Sequence, residues 1–357
     1  MAYTILVINP GSTSTKIAVY EDEKQLYLKN IEHKADELAR FDDILDQEEY
    51  RSELIRGTVK EWNVNLAGLS AVMGRGNLLP HMKGGGYLVE ENMLEALRAG
   101  KASPHASNLG ALLAHSIAGS LGIPSYIYDS VTADEFTELA KITGMPGVRR
   151  ESMCHVLNSK AASRKVAESR GKKYEDMDFI VAHLGGGITI SVHHRGKIVD
   201  AIRDDAGPFS PERAGSVPLL YVIDMCYSGR HTRKEMIKYI RGNGGLKSYL
   251  GTSDCREIEK MIDAGNAEAK MLYEAQAYQI AKGIGEMAPV LNGRFDNIIL
   301  TGGMVYSAYM TKMVTERVSF IAPVVAVPGE NEMEALALGA IRLLNGERYH
   351  IYGDETA

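Results

Sequence analysis

The stretch ILVINPGSTSTKIAVY, residues 5–20, places an apolar strand pattern on each side of a short polar turn. Ile5 to Ile8 are apolar, Asn9-Pro10-Gly11 interrupts the run, four hydroxyl residues follow, and Lys16 leads into a second apolar run. Backbone N–H groups around Gly11, the hydroxyls of Ser12, Thr13, Ser14 and Thr15, and the Lys16 ammonium can together cradle phosphate oxygens. The stretch is not a GxxxxGK[ST] loop. That motif ends on a helix, whereas here Thr15 precedes Lys16 and the chain re-enters a strand. Read alone, it is equally a polar hairpin turn whose Ser and Thr side chains bond the turn backbone.

The same unit recurs 174 positions later in FIVAHLGGGITISVHHRGKIVDA, residues 179–201, with Gly11 lying over Gly185 and Thr15 over Thr189. A repeated strand–glycine turn–strand suggests two related domains, each opening with the same hairpin. Strand patterns at 4–8, 16–20, 69–73, 125–128, 179–183, 189–193, 298–301 and 324–327 alternate with helical periodicity at 93–100, 108–121, 155–169, 233–241, 256–264, 267–291 and 332–344. That alternation marks an α/β protein. The turn-rich ITGMPGVRRES, residues 142–152, is the best candidate boundary. We expect one domain over 1–148 plus 329–357, its final helix returning to it, and another over 149–328.

Bulk properties exclude several classes. The 357 residues are 45% hydrophobic and 24% charged, with a formal charge of −6. This gives no electrostatic case for nucleic acid or an anionic membrane. Cys154, Cys226 and Cys255 show neither disulfide-framework nor zinc spacing. No uncharged apolar run approaches the roughly 20 residues that cross a bilayer. The N-terminus enters a strand pattern without a secretory signal, so a cytoplasmic protein is expected.

Further polar residues stand at strand ends, where side chains of an open α/β sheet face the ligand crevice. Arg75 sits between two glycines in VMGRGN, and Asp129 follows the strand SYIY. His105 lies in SPHASN, His155 in SMCHVLN, Arg213 in the turn-rich GPFSPERAG, and Thr301-Gly302-Gly303 closes a strand. Singly, each has a structural explanation: a surface ion pair, a turn cap, a core histidine, a hairpin glycine. His193 and His194 are adjacent strand residues facing opposite ways, so they make no metal pair. Two arginines and two histidines beside three phosphate-type loops point to anion transfer.

VINPGSTSTK (7–16) resembles the N-terminal phosphate motif of the acetate, propionate and butyrate kinase family, and HLGGGIT (183–189), LTGGM (300–304) and PGENEMEALALGA (328–340) follow in the family's order. The length, the HLGGGIT variant and PGENEMEALALGA resemble the butyrate kinases more than the acetate kinases. The resemblance implies two duplicated ribonuclease H-like, actin-type ATPase domains with a cleft between them. It implies ATP/ADP and Mg²⁺ as cofactors, a small carboxylate as acceptor, and a homodimer or higher homo-oligomer. Asn9, Ser12, Ser14 and Lys16 match the residues facing the moving phosphoryl group. Arg75 and Arg213 match the arginines that hold substrate and phosphoryl. Asp129 matches an essential aspartate, His155 a transition-state histidine, and His105 a substrate-side histidine. His183, Gly185, Gly186 and Gly187 match the second phosphate loop, though Gly186 stands where acetate kinases usually carry Asn. Gly302 and Gly303 match the adenosine motif. Asn9 and Glu332 match the metal residues, with Glu330 near enough in sequence to compete.

Phosphoryl transfer needs in-line positioning and charge neutralisation more than covalent help, which suits Lys16, Arg75, Arg213 and His155. A short carboxylic acid, with a pKa of roughly 4 to 5 like Glu, is already ionised at neutral pH and needs no general base. A sugar hydroxyl would need one, with Asp129 the candidate. A sugar kinase is therefore the nearest alternative, and an actin-like or chaperone-like ATPase the next.

Overall fold

The computed structural model describes residues 2–354. In chain order its strands are β1 (Thr4–Pro10), β2 (Ser14–Glu21), β3 (Lys24–Glu32), β4 (Ala71–Arg75), β5 (Gly86–Leu88), β6 (Ser125–Tyr128), β7 (Asp178–Leu184), β8 (Ile188–His194), β9 (Lys197–Ile202), β10 (Asn297–Gly302), β11 (Val324–Pro328) and β12 (His350–Ile351). They form two compact units. Unit one is the chain through Asp134 together with the chain from Asn331, and unit two is Glu135–Glu330. The turn-rich segment 142–152 lies inside unit two.

Unit one holds a sheet ordered β12-β5-β6-β4-β1-β2-β3, and unit two a sheet ordered β11-β10-β7-β8-β9. In each, three consecutive strands run antiparallel and two further strands add in parallel beside the first. This is the duplicated ribonuclease H-like α/β unit. β7 starts at Asp178 and ends at Leu184, each 174 positions after the ends of β1. Ile5, Leu6, Val7 and Ile8, like Phe179, Ile180, Val181 and Ala182, are fully buried, as central strands covered on both faces require.

The two hairpins differ by one residue. Pro10 pairs with Thr15, whereas Leu184 pairs with Ile188, so the first turn has four residues and the second three. The spatial counterpart of Thr189, which pairs with His183, is therefore Lys16, which pairs with Asn9. Linear spacing had placed Thr15 over Thr189. The bulges carry the same offset, at Val19/Tyr20 and Val192/His193.

In unit one, helix Leu109–Gly119 lies directly on β4. A Cβ on Gly74 would come within 2.1 Å of the Gly110 carbonyl oxygen, and one on Gly110 within 2.4 Å of the Arg75 carbonyl oxygen. Two glycines thus set the approach that fixes the Arg75 strand end. Helix Glu332–Leu344 buries Met333, Leu336, Ala337, Ala340 and Leu343 in this unit. In unit two, helix Ala267–Met287, capped by the Asn266 side chain on the Ala269 N–H at 3.0 Å, buries Tyr273, Ile280 and Ile284 against the sheet.

β3, β9 and helices Glu48–Glu61, Leu219–Tyr227 and Ala308–Val318 were not expected from the sequence. β3 is an edge strand exposed over most of its length and carries charges rather than an apolar alternation. No helix among the described residues is long and apolar enough to cross a membrane.

Candidate active site

The end of β1 and the turn after it form one wall of a cavity of about 680 Å³ in unit one. Asn9, Pro10, Gly11, Ser12, Ser14, Lys16, Asn30, Arg75, His105 and Ala106 line it. Three expected residues form a bonded cluster there. Arg75 Nη1 donates to Glu332 Oε2 at 2.5 Å and to Asn9 Oδ1 at 3.1 Å, and Asn9 Nδ2 donates to Glu332 Oε2 at 2.7 Å. His105 Nδ1 accepts the Ser107 N–H at 3.1 Å. The neutral ring therefore carries its proton on Nε2. Residues 9, 75, 105 and 332 meet because parallel strands β1 and β4 end side by side and the last helix begins there.

Asp129 stands apart from that lining. It is buried just beyond β6 with φ 45°, and its Oδ1 accepts the Gly85 N–H at 2.9 Å. A non-glycine residue held at positive φ is sparsely populated and must be fixed by its surroundings. Here the paired bonds between Asp129 and Gly85 do so, since the Asp129 N–H also donates to the Gly85 carbonyl at 3.0 Å.

In unit two, His183 ends β7 beside Thr301 of β10. Asn158 Nδ2 donates to His183 Nδ1 at 2.8 Å and to Thr301 Oγ1 at 3.2 Å, tying the two strand ends together. The neutral His183 proton therefore sits on Nε2, 3.7 Å from Glu330 Oε1. His155 stacks on His183 with ring centroids 3.8 Å apart and planes 11° from parallel, and its Nδ1 lies 2.9 Å from Thr189 Oγ1. His183 is thus a buried neighbour of His155 rather than a side chain on the rim.

Gly185–Gly187 is clasped by the loop that carries Arg213. Ser210 Oγ donates to the Gly186 carbonyl at 2.5 Å and accepts the Arg213 N–H at 3.1 Å. A Cβ on Gly187 would meet Arg213 Nε at 2.8 Å, so glycine here lets the guanidinium lie on the loop. A Cβ on Gly186 would meet only ordinary contact, with Glu212 at 3.5 Å. Arg213 pairs with Asp204, which also receives Arg241 at 2.9 Å. Burial, followed by the Arg241 charge, lowers the Arg213 pKa from its ordinary value. Gly302, at φ 98°, would push a Cβ to 2.3 Å from the Leu184 carbonyl oxygen, which excludes other residues at this junction.

A second cavity, about 720 Å³, opens in unit two among Gly185, Gly186, Glu212, Ser253, Asp254, Cys255, Arg256, Glu259, Gly303, Ser307 and Glu330. Its size suits a nucleotide-sized ligand. The sequence reading missed the Ser253–Glu259 wall, whose visible signal was only an Asp at a helix start. Asp254 Oδ1 accepts the Arg256 N–H at 2.9 Å, and the Arg256 side chain holds the carboxylate down at about 2. Burial pushes the Cys255 thiol up to about 11, leaving it unreactive at neutral pH.

Among the described residues no group of three or more His, Cys, Asp or Glu could hold a metal alone. A Mg²⁺ shared with substrate phosphates needs only one or two protein oxygens, and the Glu332 carboxylate and Asn9 amide supply hard oxygen donors of that kind. The two candidate glutamates separate cleanly. Glu332 bonds Asn9 and Arg75 in unit one, and Glu330 lines the cavity of unit two.

The acetokinase family profile matches residues 137–326. The acetate kinase of Porphyromonas gingivalis superposes with a TM-score of 0.79 at 20% identity, over 96% of this chain and 100% of that one. A propionate kinase from Francisella tularensis gives 0.75 at 18% over 94% and 98%, and an acetate kinase from Entamoeba histolytica 0.75 at 17% over 95% and 99%. The fold is therefore that of the actin and hexokinase ATPase type. With more than half its length matched by the profile, the chain belongs to the acetokinase family, the kinases that phosphorylate small carboxylates with ATP.

Proposed function

We propose that this chain is a butyrate kinase, transferring the γ-phosphoryl group of ATP reversibly to a short-chain carboxylate, butyrate foremost, by direct in-line transfer. The observation that carries the acceptor class is the lining of the unit one cavity, which presents Lys16, Arg75 and His105, with the Glu332 carboxylate bonded to Arg75 and Asn9 beside it. An ionised acid needs cations to escort it toward a polyphosphate, and no base. A sugar hydroxyl would need a base, and Asp129, the candidate, lies outside that lining. The preference for butyrate rests on the resemblance of the HLGGGIT and PGENEME motifs.

In this reading Arg75 exchanges Glu332 for the substrate carboxylate, and Lys16, Ser12 and Ser14 hold the phosphoryl oxygens. With Nδ1 committed to Thr189, His155 presents Nε2 to the group in flight, while His183 keeps its ring plane fixed. Asp129 orients the strand end rather than taking a proton. Gly185–Gly187 and Gly302-Gly303 take the nucleotide. Mg²⁺, held by Glu332 and Asn9 when bound, would offset charge on the phosphates. Three free cysteines suit a reducing cytoplasm. A homo-oligomer is supported by helix Leu219–Tyr227, which buries none of its residues although most are apolar.

Hydroxylamine trapping with acetate, propionate, butyrate, branched acids and glucose tests the proposal. The expected result is acyl hydroxamate with the highest kcat/KM for butyrate. No hydroxamate from any acid would overturn the carboxylate reading, and a higher kcat/KM for acetate or propionate would overturn butyrate alone.

A further inference from the structure

Under the first phosphate loop lies a charge that the reaction as described does not use. Arg51, on helix Glu48–Glu61, is fully buried. Its Nη1 donates to the carbonyls of Gly11 at 2.8 Å and Ser14 at 3.2 Å and to Thr15 Oγ1 at 3.0 Å. Its Nη2 donates to the Ser12 carbonyl at 3.1 Å, and Nε and Nη2 both reach Gln47 Oε1, at 3.0 and 2.7 Å.

Every one of these acceptors is neutral, and among the described residues no carboxylate pairs with the guanidinium. The neighbouring His33, 2.8 Å from Thr15 Oγ1, is pushed down to about 4 by burial and then by Arg51, so it is also neutral. Burial lowers Arg51 itself to about 10, which leaves it charged at neutral pH.

A buried cation without a counter-ion is costly, and a carboxylate at position 47 would relieve that cost with the same shape. The chain carries an amide there instead. Three loop carbonyls are drawn down onto the guanidinium, while Ser12, Ser14 and Lys16 line the cavity on the other side. In a low-dielectric floor, a fixed charge one peptide layer below the loop acts strongly on an anion above it.

We propose that Arg51 is a positioning residue for phosphoryl transfer, an internal cation left unneutralised so that it shapes the NPGST turn from below and adds its field to that of Lys16. This rests on the reading of that turn as the phosphoryl site.

Gln47→Glu tests it, because the variant preserves both contacts to Arg51 while converting them into an ion pair. A purely structural role predicts a protein as stable as the parent or more so, with unchanged turnover. The proposal predicts that stability together with a kcat about 10-fold lower, KM values within about threefold, and weaker binding of inorganic phosphate by calorimetry. A fall in kcat of at least about threefold supports the role, and a smaller one overturns it. If Gln47→Glu does not fold, Arg51→Met, which removes the charge at similar volume, is judged by the same split between kcat and KM. The parent protein is the control: no hydroxamate from it would sink the carboxylate kinase reading, whereas normal parental turnover with an unaffected variant would sink only the role of Arg51.

Discussion

Lys16 and Asn9 are register partners on neighbouring strands, so the ammonium and the amide stand at the same level of one cavity wall. A cation placed there acts on charge that develops during transfer more than on resting nucleotide. Lys16→Ala is expected to lower kcat about 100-fold while shifting the dissociation constant of ATP less than about threefold, measured by steady-state kinetics and calorimetry. An equal loss in both would mean that the lysine binds ground-state nucleotide instead. His33 gives a prediction in pH. Its folded pKa of about 4 lies below the ordinary histidine value, so between the two the unfolded chain binds a proton that the folded chain does not. Stability is therefore fully present above about pH 6.5 and is lost as pH falls toward 4, by up to about 3 kcal/mol. Urea unfolding at pH 7 and pH 5 should show the difference in the parent and a shallower one in His33→Gln.

Helix Leu219–Tyr227 carries Leu219, Leu220, Tyr221 and Tyr227 with more than two-thirds of their surface exposed, a pattern that a lone subunit seldom keeps. Leu220→Glu is expected to shift the protein toward monomer in light scattering without lowering its melting temperature by more than about 2 °C, as surface substitutions usually allow. A monomeric parent would remove this helix as an interface. The elements legible from sequence were those with a continuous apolar run, such as β1, β7 and β10, or with apolar residues at helical spacing, such as the last helix. Helix Glu48–Glu61 was not legible, because EEYRSELIRGTVKE is mostly polar and has Gly57 in its middle. Arg51 stayed hidden with it. The cluster of Asn9, Arg75 and Glu332 was named residue by residue through a family motif, but no spacing along a chain reveals that positions 9, 75 and 332 share one hydrogen-bond network.

For the whole molecule, the repeated strand order explains why two stretches of unlike composition, NPGST and LGGGI, fill one structural role. Arg75, the last residue of β4, and Thr301, one residue before the end of β10, lie next to Asn9 and His183, the partners of Lys16 and Thr189. At these matching places unit one carries the cations Lys16 and Arg75 where unit two carries the hydroxyls of Thr189 and Thr301.

The residue that follows each turn carries this asymmetry further. Thr15, opposite Pro10, and Ile188, opposite Leu184, hold the same register position, so despite the shorter turn one equivalent side chain points into each floor. In unit one that side chain is Thr15, a polar anchor for Arg51; in unit two it is Ile188, part of an apolar core. The identity of that one side chain, rather than the length of the turn, makes one floor polar and the other apolar.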